Sequence, residues 1–194
     1  EGLTRWGIRE VPMIRAARHG TEKTEALASL EQEVIACTRC PLYRTRTRHV
    51  FGEGDPRAGL VFVGEAPGRE EDLQGRPFVG AAGQLLTKMI EAIGLSREKV
   101  YICNVLKDRP PSNRTPEPSE IEACLPFLER QLALIKPKVI CALGAVPAKA
   151  LLGPRVSITA IRGEVRDYHG IALIPTFHPA YLLRNPAAKK LVWQ

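Results

Sequence analysis

The side chains best suited to chemistry in this chain fall into a few short clusters. Gly64-Glu65-Ala66-Pro67-Gly68 is followed directly by the acidic run Glu70-Glu71-Asp72. Asn104 precedes Lys107-Asp108-Arg109-Pro110-Pro111, and a Gly144-Ala145 pair comes later. His178-Pro179-Ala180-Tyr181-Leu182-Leu183-Arg184-Asn185-Pro186 lies near the end, and Cys37-x-x-Cys40 near the start. An amide can read a hydrogen-bonding edge through its donor and acceptor together, and an imidazole can stabilise a developing anion. A carboxylate can orient water. Cys-x-x-Cys suits an iron cluster, zinc or redox chemistry. Each motif alone also has a plain structural reading. The glycine-rich turn lacks both the Walker spacing and G-x-G-x-x-G. An Asn at a strand end is commonly a cap, a His before Pro commonly structural, and acids at a helix start favour the dipole.

Periodicity supplies the elements that must position these groups. Four short, β-branched, nearly continuous apolar runs read as strands buried on both faces: 60–64, 100–105, 139–144 and 171–177. Helical patterns intervene over 83–93, ending at Gly94, and over 119–135, which starts with a Ser119-x-x-Glu122 capping box. A third follows over 145–152. Strand and helix alternate, so the fold class is α/β, a three-layer α/β/α arrangement around a central four-stranded parallel sheet. A helix over 25–36 places Leu27, Leu30, Val34 and Ile35 on one face and delivers Cys37 and Cys40 just beyond its end. Residues 155–170 are read as adding a small hairpin before the last strand. Residues 1–24 are an N-terminal extension, one irregular arm, and 25–194 form a single domain. Ligands of open parallel sheets bind beyond the carboxyl ends of the strands. Acid, amide and imidazole all fall on that edge here.

The chain has 194 residues, 44% hydrophobic and 25% charged, enough for one α/β domain with a substantial core. Its net charge of +7 and pI near 9.4 suit an anionic partner such as nucleic acid. No apolar run approaches the roughly 20 residues of a membrane span, and no signal-peptide pattern opens the chain. The expectation is a cytoplasmic, nucleoid-associated protein with no membrane partner. Five cysteines, an odd number, argue against a disulfide framework in that compartment.

These motifs, with Gly75-Arg76-Pro77-Phe78-Val79-Gly80 and Arg114-Thr115-Pro116, resemble the uracil-DNA glycosylase superfamily in order and type. The similarity is greatest to its iron–sulfur family, family 4, and covers roughly residues 25–194. The resemblance implies a monofunctional uracil-DNA glycosylase of base excision repair. It would hydrolyse the N-glycosidic bond of flipped-out uracil and leave an abasic site. Phe78 matches the ring that stacks on the base, Asn104 the amide that reads its edge, and His178 the donor to the uracil anion. Gly64 and Ala66 match the turn beside the base. For the carboxylate that positions water, Glu71 is the family candidate; Glu65 is read as shaping the pocket. Tyr181, Leu182, Leu183 and Arg184 match the loop that enters DNA, one apolar side chain filling the gap and Arg184 meeting phosphate. Arg44, Arg46, Arg48, Arg109, Arg114, Lys189 and Lys190 flank these features.

The family holds a 4Fe-4S cluster on four cysteines. Cys37, Cys40 and Cys124 match three; Asp108 stands where the remaining one is expected. Three outcomes compete: Asp108 ligates iron, the site holds a 3Fe-4S cluster or an iron with water, or Cys103 substitutes; the expectation is that Cys37, Cys40, Cys124 and Asp108 surround the iron. Alternation disfavours Cys103, and Cys141 reads as buried packing. The resemblance also implies action as a monomer on uracil-containing single- and double-stranded DNA, with a sliding clamp as a candidate partner. Two alternatives keep the fold. One is a uracil-DNA binding protein that captures DNA covalently or without turnover; a related branch uses a loop histidine for capture, and here that loop, 107–111, has none. The other is a non-catalytic nucleic-acid module.

Overall fold

A computed structural model describes residues 12–191. The four expected strands are β2 (Leu60–Gly64), β3 (Tyr101–Asn104), β4 (Val139–Leu143) and β6 (Ile171–Thr176); all their mutual pairings are parallel. The sheet has six strands rather than four. Two short antiparallel strands close its edges, β1 (Glu53–Gly54) on β3 and β5 (Arg166–Tyr168) on β6, giving the order β1-β3-β2-β4-β6-β5. Strands of two or three residues carry no readable period. No separate hairpin precedes the last strand among the described residues; 155–170 holds one short strand, β5, which forms a hairpin with the last strand instead. That hairpin turns at His169 (φ 51°) and Gly170 (φ 83°), and β6 itself is its second strand. Two consecutive positive φ values suit the tight turn that matches strand twist.

The described helices are α1 (Pro12–Ile35), α2 (Arg69–Gln74), α3 (Ala81–Ala92), α4 (Pro118–Ile135), α5 (Ala145–Leu152), α6 (Ile158–Ile161) and α7 (Pro179–Arg184). α1 starts well before residue 25; of the arm expected over 1–24, residues 1–11 lie outside the described residues. Leu27, Leu30 and Val34 are buried as expected, while Ile35 is exposed. The start of α4 differs from expectation. Its capping box is formed by Glu117 and Glu120, not Ser119 and Glu122. Pro118, with its φ preset for the first helical position, starts the helix there and leaves Ser119 inside it. None of the described helices is long and apolar enough to cross a membrane.

Alternation along the strands splits the core. Val61, Val63, Cys103, Ile140, Ala142 and Leu173 pack with α1, α4 and α5 on one face. Phe62, Ile102 and Leu143 pack with Leu86 and Ile90 of α3 on the other, and α7 lies against α3. The carboxyl ends of β2, β3 and β6 therefore open between the two helical layers, where the Glu65, Asn104 and His178 segments emerge.

Candidate active site

A cavity of about 610 Å³ occupies that edge, lined among others by Glu65, Ala66, Glu71, Phe78, Asn104 and His178. The convergence expected from sequence is thus present for all six. Asn104 ends β3 and is 1% exposed. Among the described residues, its Oδ1 is the buried side-chain polar atom that has no hydrogen-bond partner. Leaving such an acceptor unpaired costs about 1–3 kcal/mol, an expense explained if a ligand's N–H completes it.

Gly64 is what lets the neighbours close in. A Cβ there would lie 2.3 Å from Asn104 Oδ1 and 2.5 Å from Phe78 Cζ. Phe78 is buried, and its ring centroid lies 5.6 Å from that of His178. Its backbone is left-handed at φ 53°, which costs a side-chain-bearing residue about 1–2 kcal/mol. Gly83 on α3 permits the close approach behind it, since a Cβ would fall 1.9 Å from the Phe78 carbonyl oxygen.

His178 caps α7. Its Nδ1 accepts from the Ala180 N–H at 3.1 Å. In the neutral ring that assigns the proton to Nε2, a donor available to the cavity. Burial is the main cause that pushes its pKa down to about 4; Arg184 adds to this and Glu71 opposes it. The imidazole is therefore neutral at pH 7.

The acidic run has three fates. Glu70 is exposed. Asp72 is buried and accepts from the Thr47 and Arg48 N–H groups at 2.8 and 3.3 Å. Glu71 turns into the cavity; its Oε1 accepts from the Val79 and Gly80 N–H groups at 2.9 Å each, while Oε2 lies under the Gly68 turn. Glu65 lines the cavity, and burial raises its pKa; its backbone oxygen accepts from the Leu106 N–H at 3.0 Å.

On the rim, α7 sorts its side chains by facing. Leu182 is 1% exposed and belongs to the core, whereas Tyr181 and Leu183 are 39% and 42% exposed, and Arg184 is exposed too. Some of the basic residues noted around the mouth are used internally. Arg114 holds Glu120 at 2.6 Å, and Arg109 donates to Asn113 at 2.7 Å.

Three of the five cysteines gather with Asp108 at another corner. Cys37 lies beyond α1, Cys40 before a short 3-10 turn (Pro41–Arg44), Cys124 on α4 and Asp108 beyond β3. Burial raises the pKa of Cys40, and that of Cys124 to about 11; negative charge on Asp108 pushes both further in that direction. Cys124 Sγ accepts from the Lys107 N–H at 3.3 Å. Both Asp108 oxygens accept from Arg46 Nη1 at 3.0 Å, and the same guanidinium donates to the Val34 and Ile35 carbonyls at the end of α1. Among the described residues, no three His, Cys, Asp or Glu side chains converge on a single metal ion. A polynuclear cluster spreads its ligands wider than one ion does. The three thiols suit iron in kind, while the carboxylate is engaged by Arg46. Cys103 is fully buried on the sheet, and Cys141 packs against the second apolar cluster.

Sequence reasoning missed Lys107, treated as part of a loop and now fully buried, donating to the Asn104 carbonyl at 2.7 Å and to Gln131. It also missed Arg97, which donates to the Pro77 and Phe78 carbonyls. A lone basic residue carries no periodic signal that separates burial from exposure.

The profile of the Uracil DNA glycosylase superfamily matches residues 51–194. A type-4 uracil-DNA glycosylase of Thermotoga maritima is 52% identical over 165 residues, 84% of this chain and 86% of that protein. One from Sulfurisphaera tokodaii is 49% identical over 177 residues, 87% of this chain and 80% of its own length. One from Archaeoglobus fulgidus is 45% identical over 174 residues, covering 86% and 87%.

Proposed function

The chain belongs to the uracil-DNA glycosylase superfamily, and from that membership together with the site geometry we propose that it cleaves the N-glycosidic bond of uracil in DNA. The observation that carries the reading is the unpaired, buried Oδ1 of Asn104 beside an aromatic face and a neutral imidazole. Uracil flipped from the stack lies against Phe78. Asn104 accepts from N3–H and donates to O4. Cytosine presents the reverse polarity at both atoms and leaves the buried amide unmatched, which gives selectivity. As the bond to C1′ breaks, charge collects on uracil O2. His178 Nε2–H, preset by the Ala180 N–H, stabilises it without changing protonation state. Glu71, one oxygen tied to the α3 start, offers the other to a water that adds to C1′, and its charge favours the oxocarbenium-like transition state. Glu65, Gly64 and Ala66 shape the turn beside the base.

Leu183 and Tyr181 are the exposed side chains able to fill the gap in the duplex, with Leu182 as their buried anchor and Arg184 on phosphate. The substrate is DNA, single- or double-stranded, which sets the protein in base excision repair beside the chromosome in the cytoplasm. Cys37, Cys40 and Cys124 are the residues that would hold an iron–sulfur cluster. Asp108 serves as a fourth ligand only if its carboxylate leaves Arg46. Such a cluster would order the segment beside the DNA face. Iron and sulfide analysis of anaerobically purified protein checks this; an iron-free, well-folded protein overturns it.

The test of the activity is cleavage of a uracil oligonucleotide followed by alkali. Asn104→Ala and His178→Ala should each lower kcat by about 10²–10³-fold while melting near wild type. Full activity in both variants overturns the site, and a stable adduct on a denaturing gel favours covalent capture instead.

A further inference from the structure

Phe78 needs an external hold. Its backbone is left-handed, and it sits between α2 and α3 in a loop with no strand pairing of its own. Two charged side chains bond to the backbone of that loop, and Arg76 within it also pairs with Glu53 at 2.8 Å. The Glu71 carboxylate takes the N–H groups of Val79 and Gly80. The carbonyls just before them belong to Arg97, in the 3-10 turn (Arg97–Lys99) that leads into β3. Its Nη2 donates to the Pro77 oxygen at 2.8 Å, and Nη1 donates to the Phe78 oxygen at 3.1 Å and Thr87 Oγ1 at 3.3 Å. Nε and Nη2 both donate to Glu53 Oε1, the former at 3.2 Å. Arg97 is 16% exposed and Glu53 22%, so the pair is largely withdrawn from solvent. Glu53 in turn is half of β1, an edge strand of two residues registered on Ile102.

We propose that Arg97 is a positioning residue for the base-stacking ring: anchored by Glu53, its guanidinium grips the Pro77 and Phe78 carbonyls and holds the left-handed backbone that presents the ring to uracil. The inference rests on the reading of Phe78 as that ring. A planar fork with several fixed donors is what the arrangement requires, and an ammonium cannot span both carbonyls and Glu53 at once. Edge strand β1 is on this account part of the pocket's construction, because it delivers the anchor. The ring is set before substrate arrives, so the grip should matter to the bound base and the transition state more than to DNA contact.

The experiment compares Arg97→Gln, Arg97→Lys, Phe78→Ala and the double variant Phe78→Ala/Arg97→Gln. Readouts are single-turnover cleavage of a single-stranded uracil oligonucleotide, inhibition by free uracil, and binding of an oligonucleotide carrying a tetrahydrofuran abasic analogue. Arg97→Gln should lower kcat on the order of tenfold and weaken uracil inhibition similarly, since small misplacements of a reacting partner carry effects of this size. Affinity for the abasic analogue should stay at the wild-type value. The double variant should be no worse than Phe78→Ala, the non-additivity expected if Arg97 acts through the ring. Additive losses overturn the proposal, as does wild-type uracil inhibition in Arg97→Gln when Phe78→Ala weakens it. If Phe78→Ala itself changes neither kcat nor uracil inhibition, the base-stacking reading fails and takes the proposal with it. Should Arg97→Gln fail to fold, Arg97→Lys, which keeps the charge facing Glu53, decides alone: wild-type kcat in that variant overturns the role.

Discussion

The base pocket and the cysteine corner lie on the same sheet, yet they handle polar groups in opposite ways. In the pocket, groups are left open. Asn104 Oδ1 is buried and unpaired, His178 spends only Nδ1 on the backbone, and Glu71 ties down one oxygen of two. In the corner, the groups around the three thiols are paired. Asp108 is held by Arg46, Cys124 Sγ by the Lys107 N–H, and the buried Lys107 by Gln131 and the Asn104 carbonyl. An unpaired buried group is a standing penalty that a bound partner relieves, whereas a paired one stabilises the fold. Substitutions in the pocket should therefore strike rate, and substitutions in the corner should strike stability.

The largest effect sharpening that contrast is expected at Gly64. Gly64→Ala sets a methyl group 2.3 Å from Asn104 Oδ1 and 2.5 Å from the Phe78 ring. One of the two must withdraw, and both serve the base. Activity on a uracil oligonucleotide should fall by about 100-fold, the scale of a misplacement near 1 Å. The abasic-analogue affinity should fall much less. A Gly64→Ala enzyme with wild-type kcat/KM would mean that neither side chain defines the base site.

Arg46 tests the corner. Arg46→Met removes the partner of a largely buried carboxylate, with side-chain exposures of 16% and 11% for Arg46 and Asp108, and strips two carbonyls at the end of α1 of their donor. Breaking a buried pair from one side typically costs about 3 kcal/mol, while removing both partners is much gentler. Urea unfolding should show Arg46→Met destabilised by roughly that amount and Arg46→Met/Asp108→Leu by clearly less. Single-turnover kcat at 25 °C should be near wild type for both. A fall in kcat as large as that of Gly64→Ala would erase the distinction between the two regions.

The contrast also explains what was legible in the sequence. β2, β3, β4 and β6 were readable because strands buried on both faces are runs of β-branched and apolar residues, and the pocket groups because they follow those strands directly. β1 and β5 were not, since two or three residues have no period. The start of α4 was misplaced because Ser119-x-x-Glu122 and Glu117-x-x-Glu120 overlap, and only Pro118 distinguishes them. The matched groups were least visible. Arg46–Asp108 spans 62 positions and Arg97–Glu53 44. Nothing local in the chain says that one arginine among many faces a carboxylate and another faces solvent. Leu182 and Leu183 show the same limit at short range: adjacency required that they diverge, but which one is buried follows from how α7 sits on α3.

The smallest effect lies in the pH dependence of the pocket. Burial holds the His178 pKa at about 4 in the folded protein, against an ordinary value of 6.5, and Arg184 pushes the same way while Glu71 opposes. A depressed histidine stabilises the fold fully above its unfolded pKa, and that contribution is lost as pH falls from 6.5 toward 4, because the unfolded chain takes up the proton first. At pH 5.5 the loss relative to pH 7.5 should be about 1 kcal/mol from this residue. His178→Gln, with no proton to bind, should show a shallower decline over that interval in matched urea titrations. Catalysis should behave differently from stability: the ring stays neutral, so its donor to O2 persists, and the His178-dependent part of kcat should be flat between pH 5.5 and 7.5. A wild-type rate that follows a pKa near 6.5, absent from His178→Gln, would mean that the imidazole titrates in the working site and that charge, rather than a preset neutral donor, stabilises the departing uracil.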